Sequence, residues 1–212
     1  MTPAMPDLPL VAIYADESCL GNGRDGDNPG GAAGVVEFVK PMSGEMTRWD
    51  YWSSEQSTTN NRMALRSVID AFTFISRRDK RFRVTFTSDS QYLVKGMNEW
   101  VFGWMARGWR RKGGAIENLS LWQEAVEVTR PHKVAWRWVR GHNGQPQNEY
   151  ADSLATRAAR ELDASNGLVP SSFDLWLEAE RTRGREHVPA PFPVSDEFRP
   201  GRPFPLGTAI DR

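Results

Sequence analysis

Three aspartates lie at points of the chain where a carboxylate could bind a metal ion. Asp16 ends an apolar run at 10–15, Asp89 ends a second run at 82–88, and Asp152 lies in a helical stretch. Carboxylates at the ends of adjacent strands and on a nearby helix can converge on one point, where cations offset their repulsion. Hard oxygen ligands suit Mg²⁺ or Mn²⁺. The spacing therefore predicts a divalent-metal site, and two such ions about 4 Å apart can break phosphodiesters.

Further polar residues surround these aspartates in sequence. His142 lies on a glycine-flanked loop ten residues before Asp152, and its near-neutral pKa suits proton transfer to a leaving group. Side-chain amides both donate and accept hydrogen bonds, so they can read base edges and ribose hydroxyls. Taken singly, each such residue is better explained as a turn or a helix cap. The candidates are Asn22, Thr59, Asn60, Asn61, Ser90 and Gln91.

A tryptophan-rich segment is followed by a basic one. Trp100 and Trp104 are four residues apart and share one face of a predicted helix. Aromatic faces beside cations are typical of nucleic-acid binding. A pair of core tryptophans on an amphipathic helix would explain the aromatic residues, but it explains the basic, glycine-rich loop less well. The basic residues are Arg107, Arg110, Arg111 and Lys112, with no acidic residue between 100 and 112.

Hydrophobic periodicity predicts the elements that position these residues. Their order indicates an α/β sandwich with a mixed sheet. The predicted strands are 10–15, 33–39, 46–53, 82–88 and 134–139, and the predicted helices are 62–77, 90–96, 98–107, 118–129 and 147–162.

Composition limits the class of protein. The 212 residues contain 27 basic and 27 acidic side chains, so net charge does not indicate a polyanionic partner. The single cysteine excludes an internal disulfide and a cysteine-based zinc site. With no signal-peptide pattern and no run of about 18 apolar residues, we expect a cytoplasmic protein without a membrane partner.

Five motifs together resemble type 1 ribonuclease H, the bacterial ribonuclease HI family, over residues 10–162. The resemblance implies a ribonuclease H-like fold with a five-stranded mixed sheet flanked by helices. It also implies Mg²⁺- or Mn²⁺-dependent endonucleolytic cleavage of the RNA strand of RNA/DNA hybrids, with 5′-phosphate products and two ions bound with substrate. The motifs are Ile13-Tyr14-Ala15-Asp16-Glu17, Thr59-Asn60-Asn61-Arg62-Met63, Thr87-Ser88-Asp89-Ser90-Gln91, Trp100 with Trp104 and Arg107-Gly108-Trp109, and Gly141-His142-Asn143-Gly144 with Asn148-Glu149-Tyr150-Ala151-Asp152.

The same resemblance implies roles for individual residues. Asp16, Asp89 and Asp152 match the metal carboxylates, and His142 matches a mobile loop histidine. The tryptophan pair and the basic loop match a protrusion that grips the DNA strand. The substrate-contacting positions correspond to Asn22, Thr59, Asn60, Asn61 and Gln91.

Two positions depart from the family pattern. Ala64 replaces a catalytic glutamate, and because a methyl group cannot bind a cation, activity is expected to fall by orders of magnitude. Glu17 stands where the family usually has glycine. Neighbouring strand residues point to opposite faces, so Glu17 is expected to face away from Asp16 unless a bulge turns it inward. Our hypothesis is that Glu17 substitutes for the missing carboxylate.

The chain is predicted to consist of an N-terminal tail (1–9), a catalytic domain (10–164) and a C-terminal extension (165–212). Seven of the 14 prolines lie in the extension, so only a short helix at 171–183 is expected there. Residues 188–212 are expected to be disordered or to form an arm that packs on its own domain, and a protein partner for it is unknown. Possible anchors of this arm are Phe192, Phe198 and Phe204.

The leading prediction is a monomeric, hybrid-specific ribonuclease that clears RNA primers and R-loops in DNA replication and repair. One alternative is a catalytically inactive module that binds RNA/DNA hybrids, which Ala64 would favour. Another is a related nuclease such as a resolvase or transposase core, although such proteins lack the tryptophan-rich protrusion.

Overall fold

A mixed β-sheet forms the centre of the structure, a computed structural model that describes residues 8–21, 28–40, 43–77 and 80–205. The strands are β1 (Leu10–Cys19), β2 (Gly30–Val39), β3 (Met46–Glu55), β4 (Arg83–Ser88), β5 (Lys133–Trp138) and β6 (Val169–Pro170). Their order across the sheet is β5-β4-β1-β2-β3-β6. Strands β1, β4 and β5 are parallel, whereas β2 is antiparallel to β1 and β3, and β6 is antiparallel to β3.

Helices flank this sheet in the order that the sequence predicted. They are α1 (Asn60–Ile75), α2 (Gln91–Lys95), α3 (Val101–Met105), α4 (Leu119–Thr129), α5 (Pro146–Glu161) and α6 (Phe173–Thr182), with a π-helical segment, Gly96–Trp100, joining α2 to α3. Among the residues described, no helix combines the length and apolar character needed to cross a membrane.

The alternation of side chains along β1 divides the core into two layers. Ile13 and Ala15 belong to the cluster that includes residues of α1 and α4, whereas Ala12 and Tyr14 pack with residues of α5. Successive strand residues point to opposite faces, so the six-residue apolar run at 10–15 can serve both layers. Side chains continue to alternate between the two faces of the sheet after this run. This alternation determines the face on which each carboxylate of β1 lies.

Within the described residues, the sheet has six strands, not the five that were expected. The extra strand, β6, comes from the C-terminal extension and pairs with Trp49 and Asp50 of β3. Two polar contacts hold it there: Asp50 accepts a hydrogen bond from the Ser172 N–H at 3.0 Å, and Arg48 lies 3.0 Å from Asp174 at the start of α6. Strand β6 follows from tertiary contacts, because two residues carry no periodicity of their own.

Beyond α6 the extension crosses the domain as an extended arm. Phe198 is buried against Leu10 of β1 and Ala135 of β5, the strand at the opposite edge of the sheet from β6. Further on, Phe204 stacks on Phe102 of α3, with ring centroids 5.1 Å apart. Phe192 also packs on the core, whereas residues 206–212 lie outside the described part. Residues 188–205 thus pack on the domain that precedes them in the chain.

Candidate active site

Strands β1 and β4 bring two of the predicted aspartates to the same edge of the sheet. Ser88, the last residue of β4, is paired with Ala15 of β1. Asp16 directly follows Ala15 in β1, and Asp89 directly follows Ser88 at the end of β4. Carboxylate oxygens of Asp16, Glu17 and Asp89 all lie within 4.8 Å of one another. We refer to these three residues as the carboxylate cluster.

The presence of Glu17 in this cluster contradicts the expectation that it faces away. Asp16 continues the α5 face of Tyr14, and Glu17 continues the α1 face of Ala15. The pairing of β1 with β2 runs through both residues without an inserted residue, so no bulge turns Glu17 inward. Because β4 ends at Ser88, the end of β1 is open on that side. Both side chains can then reach Asp89 from opposite faces.

Hydrogen bonds fix the orientation of the cluster. Asp16 accepts from the Glu17 N–H at 2.7 Å and from Asn148 Nδ2 at 3.0 Å. Asn148 also donates to the Ala15 carbonyl at 3.2 Å, so α5 is tied to the strand end. The Ser90 side chain lies close enough to Glu17 to lower the pKa of its carboxyl. Sequence reasoning did not predict these orienting roles, although Asn148 lies one helical turn before Asp152 on the same face of α5.

Burial and mutual repulsion disfavour the charged forms of these carboxyls. Burial, and next the charge of Asp89, raise the pKa of Asp16 well above its ordinary value. The same two causes raise the pKa of Glu17 from 4.5 to about 8. Burial also raises the pKa of Asp89. A site of this kind binds either protons or cations, and its all-oxygen donor set fits a hard divalent ion.

Asp152 and His142 lie beside the cluster. Burial and the charge of Asp89 raise the pKa of Asp152, while His142 lowers it. His142 also lowers the pKa of Asp89, so the histidine is within electrostatic reach of both carboxyls. A side chain at Gly141 would place its Cβ 2.2 Å from Asp89 Oδ2, so only glycine allows the loop to approach this closely. Asp152 is not one of the three residues whose oxygens lie within 4.8 Å of one another.

Ala64 lies in the first turns of α1 and is fully buried in the apolar core. Its methyl group offers no ligand atom. Within the described residues, the compact metal-binding group draws its carboxylates from β1 and from the residue after β4. Helix α1 therefore contributes packing at the position where the resemblance implied a glutamate.

Four of the five predicted substrate-contacting residues lie at helix starts: Thr59, Asn60, Asn61 and Gln91. Thr59 caps α1 by accepting from the Arg62 N–H at 3.4 Å, as the cap interpretation predicted. Asn60 and Asn61 form the first turn of the same helix, and exposed Gln91 begins α2. Asn22 lies outside the described residues.

The tryptophans and the basic loop have different environments. Trp104 is 9% exposed and packs edge-on against Trp122, with centroids 5.6 Å apart, so it belongs largely to the core. Trp100 is half-buried. The basic side chains of the loop are exposed: Arg107, Arg110, Arg111 and Lys112. A cavity of about 420 Å³ lies between these parts and is lined by Tyr92, Glu99, Trp100, Gly103, Trp104, Arg107, Arg111, Ile116 and Glu117.

Comparison with known proteins identifies the family. The sequence model of the RNase H family matches residues 9–160. The chain belongs to the RNase H family. Ribonuclease H of Pseudomonas putida strain W619 is 41% identical over 155 residues, covering 73% of this chain and 96% of the relative. Ribonuclease H of Cupriavidus metallidurans is 40% identical over 154 residues, covering 72% and 97%. The chain is, like these relatives, a ribonuclease.

Solved structures extend the comparison to the C-terminal part. LC9-RNase H1, described as a type 1 RNase H with the type 2 active-site motif, is 54% identical with a TM-score of 0.90, covering 97% of this chain and 98% of that chain. The RNase H domain of prototype foamy virus, at 19% identity and a TM-score of 0.59, covers 74% of this chain and 98% of that domain and shows the shared fold alone. The extension of this RNase H therefore has a counterpart in LC9-RNase H1.

Proposed function

We propose that this RNase H hydrolyses the RNA strand of RNA/DNA hybrids and that Glu17 takes the place of the glutamate missing at Ala64. The observation that carries the proposal is the cluster of Asp16, Glu17 and Asp89, whose oxygens lie within 4.8 Å of one another. Three carboxylates at that separation form a site for divalent cations without any contribution from α1. The absence of a carboxylate at Ala64 therefore does not imply an inactive protein.

The relationship with LC9-RNase H1 supports this assignment. That protein is 54% identical and combines a type 1 RNase H with the type 2 active-site motif. A chain with Glu17 beside Asp16 and with Ala64 on α1 also departs from the type 1 pattern at its active site. We infer that the two proteins share one rearranged set of carboxylates.

Each residue near the cluster has a place in the proposed reaction. Water attacks phosphorus, the bond from phosphorus to the 3′ oxygen breaks, and the products are a 5′-phosphate and a 3′-hydroxyl. When bound with substrate, two Mg²⁺ or Mn²⁺ ions supply the charge that activates the water and stabilises the leaving oxygen. Asp16, Glu17, Asp89 and Asp152 would hold these ions. His142, on its exposed loop beside Asp89, is suited to deliver a proton to the leaving oxygen.

Substrate contacts are proposed on both sides of the cluster. Asn60, Asn61 and Gln91 are polar groups at helix starts, where they could contact ribose hydroxyls and base edges of the RNA strand. The cavity between Trp100 and the exposed arginines offers an aromatic wall and cations to the backbone of the DNA strand. We expect the protein to act as a monomer on hybrids formed in DNA replication and repair.

The first experiment identifies the substrate. Labelled RNA/DNA hybrid, duplex DNA and duplex RNA are incubated with the protein in Mg²⁺, Mn²⁺ or a chelator. Metal-dependent loss of the RNA strand of the hybrid alone supports the proposal. Retention of the hybrid without cleavage would instead select the inactive hybrid-binding module, which the alanine at position 64 favours.

A second experiment asks which residue replaces the glutamate. Glu17→Ala should reduce kcat by about 100-fold or more, because the cluster loses one of its carboxylates. Ala64→Glu in the native background should give no gain, whereas the double variant with Glu17→Ala should recover activity. Cleavage by Glu17→Ala at the native rate would refute the role of Glu17. Thermal unfolding of each variant shows whether the added glutamate is tolerated in the buried position.

A further inference from the structure

Glu149, in the first turn of α5, contacts the loop that carries His142. Its Oε1 accepts a hydrogen bond from the Gly144 N–H at 2.9 Å. Gly144 has a φ of +77°, a conformation that side-chain-bearing residues rarely adopt. The carboxylate of Glu149 therefore holds the loop two residues beyond His142.

The second oxygen of Glu149 faces the C-terminal extension. His187 Nδ1 lies 3.7 Å from Glu149 Oε2, and His187 Nε2 lies 3.5 Å from Glu180 Oε2. The histidine ring also packs against Trp176 of α6, with ring centroids 5.2 Å apart. The His187 side chain is only 12% exposed, so the ring fills the space between the two carboxylates.

Both flanks of His187 are held in place. Glu180 is buried and accepts hydrogen bonds from Arg183 at 2.8 Å and Arg185 at 3.0 Å. Three residues after the histidine, the backbone of Ala190 exchanges two hydrogen bonds with the buried Gln147 side chain, at 2.9 and 3.0 Å. The extension thus presents His187 to Glu149 from a fixed position.

We propose that His187 and Glu149 are positioning residues for the active-site loop. His187 keeps the Glu149 carboxylate directed at Gly144, and that contact keeps His142 beside Asp89. Without the ring, the Glu149 side chain would no longer be confined on this side, and it would rotate more readily from Gly144 into the vacated space. This inference rests on the proposed function, in which His142 serves the leaving oxygen, and it assigns the extension a part in catalysis.

The test combines a structural and a kinetic measurement. Amide hydrogen exchange at Gly144 should be about tenfold faster in His187→Ala and in Glu149→Ala, because the hydrogen bond to the loop is weakened. On RNA/DNA hybrid, kcat should fall roughly fivefold with KM within about twofold of the native value. His187→Gln, which keeps an N–H donor, should recover part of both effects.

A double-mutant cycle separates positioning from general destabilisation. In the His142→Ala background, adding His187→Ala should leave kcat unchanged, since the loop no longer carries the group being positioned. Additive losses, or unaltered exchange at Gly144, would overturn the inference. Glu186→Ala, at an exposed neighbouring position, is the matched control and should behave as the native protein. If the native protein does not cleave hybrids, the proposed function fails. Hydrogen exchange at Gly144 then tests by itself whether His187 and Glu149 hold the loop.

Discussion

The carboxylate cluster and the basic loop after α3 place charge in opposite environments. Asp16 is buried within β1, with Glu17 and Asp89 close by. Arg107 and Arg111 extend into solvent beside a wide cavity. Burial and mutual repulsion destabilise the charged forms of the crowded carboxylates, and a bound cation offsets both effects. Exposed charges attract a polyanion, and salt screens this attraction. Substitutions in the cluster should therefore act on kcat, and those in the loop on KM.

The largest effect is expected for Asp16→Asn. The amide keeps the size of the side chain but removes the most buried negative charge of the cluster, so kcat should fall by about a thousandfold or more. Hybrid affinity should change little, because the basic loop is untouched. Single-turnover cleavage and a binding titration check the two statements. A kcat within tenfold of the native value would show that the cluster is not the reaction centre.

The opposite pattern is expected for the double variant Arg107→Ala and Arg111→Ala. Loss of two exposed cations should raise KM roughly tenfold, leave kcat nearly unchanged and reduce the dependence of affinity on salt. The measurement is KM at several salt concentrations, with Arg181→Ala on the exposed side of α6 as the control. A fall in kcat without a change in KM would remove the distinction between the two regions.

A further effect concerns stability without metal. The folded-state pKa of Glu17, about 8, exceeds its ordinary value of 4.5. The folded state therefore binds more protons than the unfolded state between these values, and its free energy of unfolding falls as pH rises through this window. Glu17→Gln should remove this loss of stability. The free energy of unfolding of the variant, relative to that of the native protein, should therefore rise by on the order of 2 kcal/mol from pH 5 to pH 8.

Urea unfolding of both proteins in chelator checks this prediction. The variant is compared with the native protein at each pH because buried His132, whose pKa is lowered to about 4, has the opposite dependence on pH. Added Mg²⁺ should stabilise the native protein more at pH 8 than at pH 5, because fewer protons compete for the cluster at pH 8. An equal difference between the proteins at pH 5 and pH 8 would contradict the displaced pKa of Glu17.

The sequence predicted more about the metal site than about what surrounds it. Asp16 and Asp89 could be located because each ends an apolar run, and such runs form neighbouring strands. The direction of Glu17 could not, because it depends on where β4 ends relative to β1. The residue pair that shows this, Ala15 with Ser88, is visible only in the sheet.

The extension shows the same limit more clearly. Its prolines predicted that no regular structure follows residue 188, but the described residues include a single 3₁₀ turn, Ser195–Glu197. Strand β6 has only two residues and no pattern. The contact between His187 and Glu149 joins residues far apart in the chain, and neither residue type indicates it. For Trp104, the sequence allowed two interpretations, because its helical spacing fitted both a core residue and a substrate contact. Its burial shows that most of the ring belongs to the core.

The path of the extension also has a consequence for self-association. An open sheet ends in strands whose unpaired backbone groups can recruit another chain. At one border, Ser165 and Ser171 hydrogen-bond to the backbone of β3 on either side of β6, and Pro170 has no N–H to offer a further strand. At the other border, the Gly201 N–H donates to the Val134 carbonyl of β5 at 2.8 Å. One segment thus shields both margins and discourages edge-to-edge aggregation.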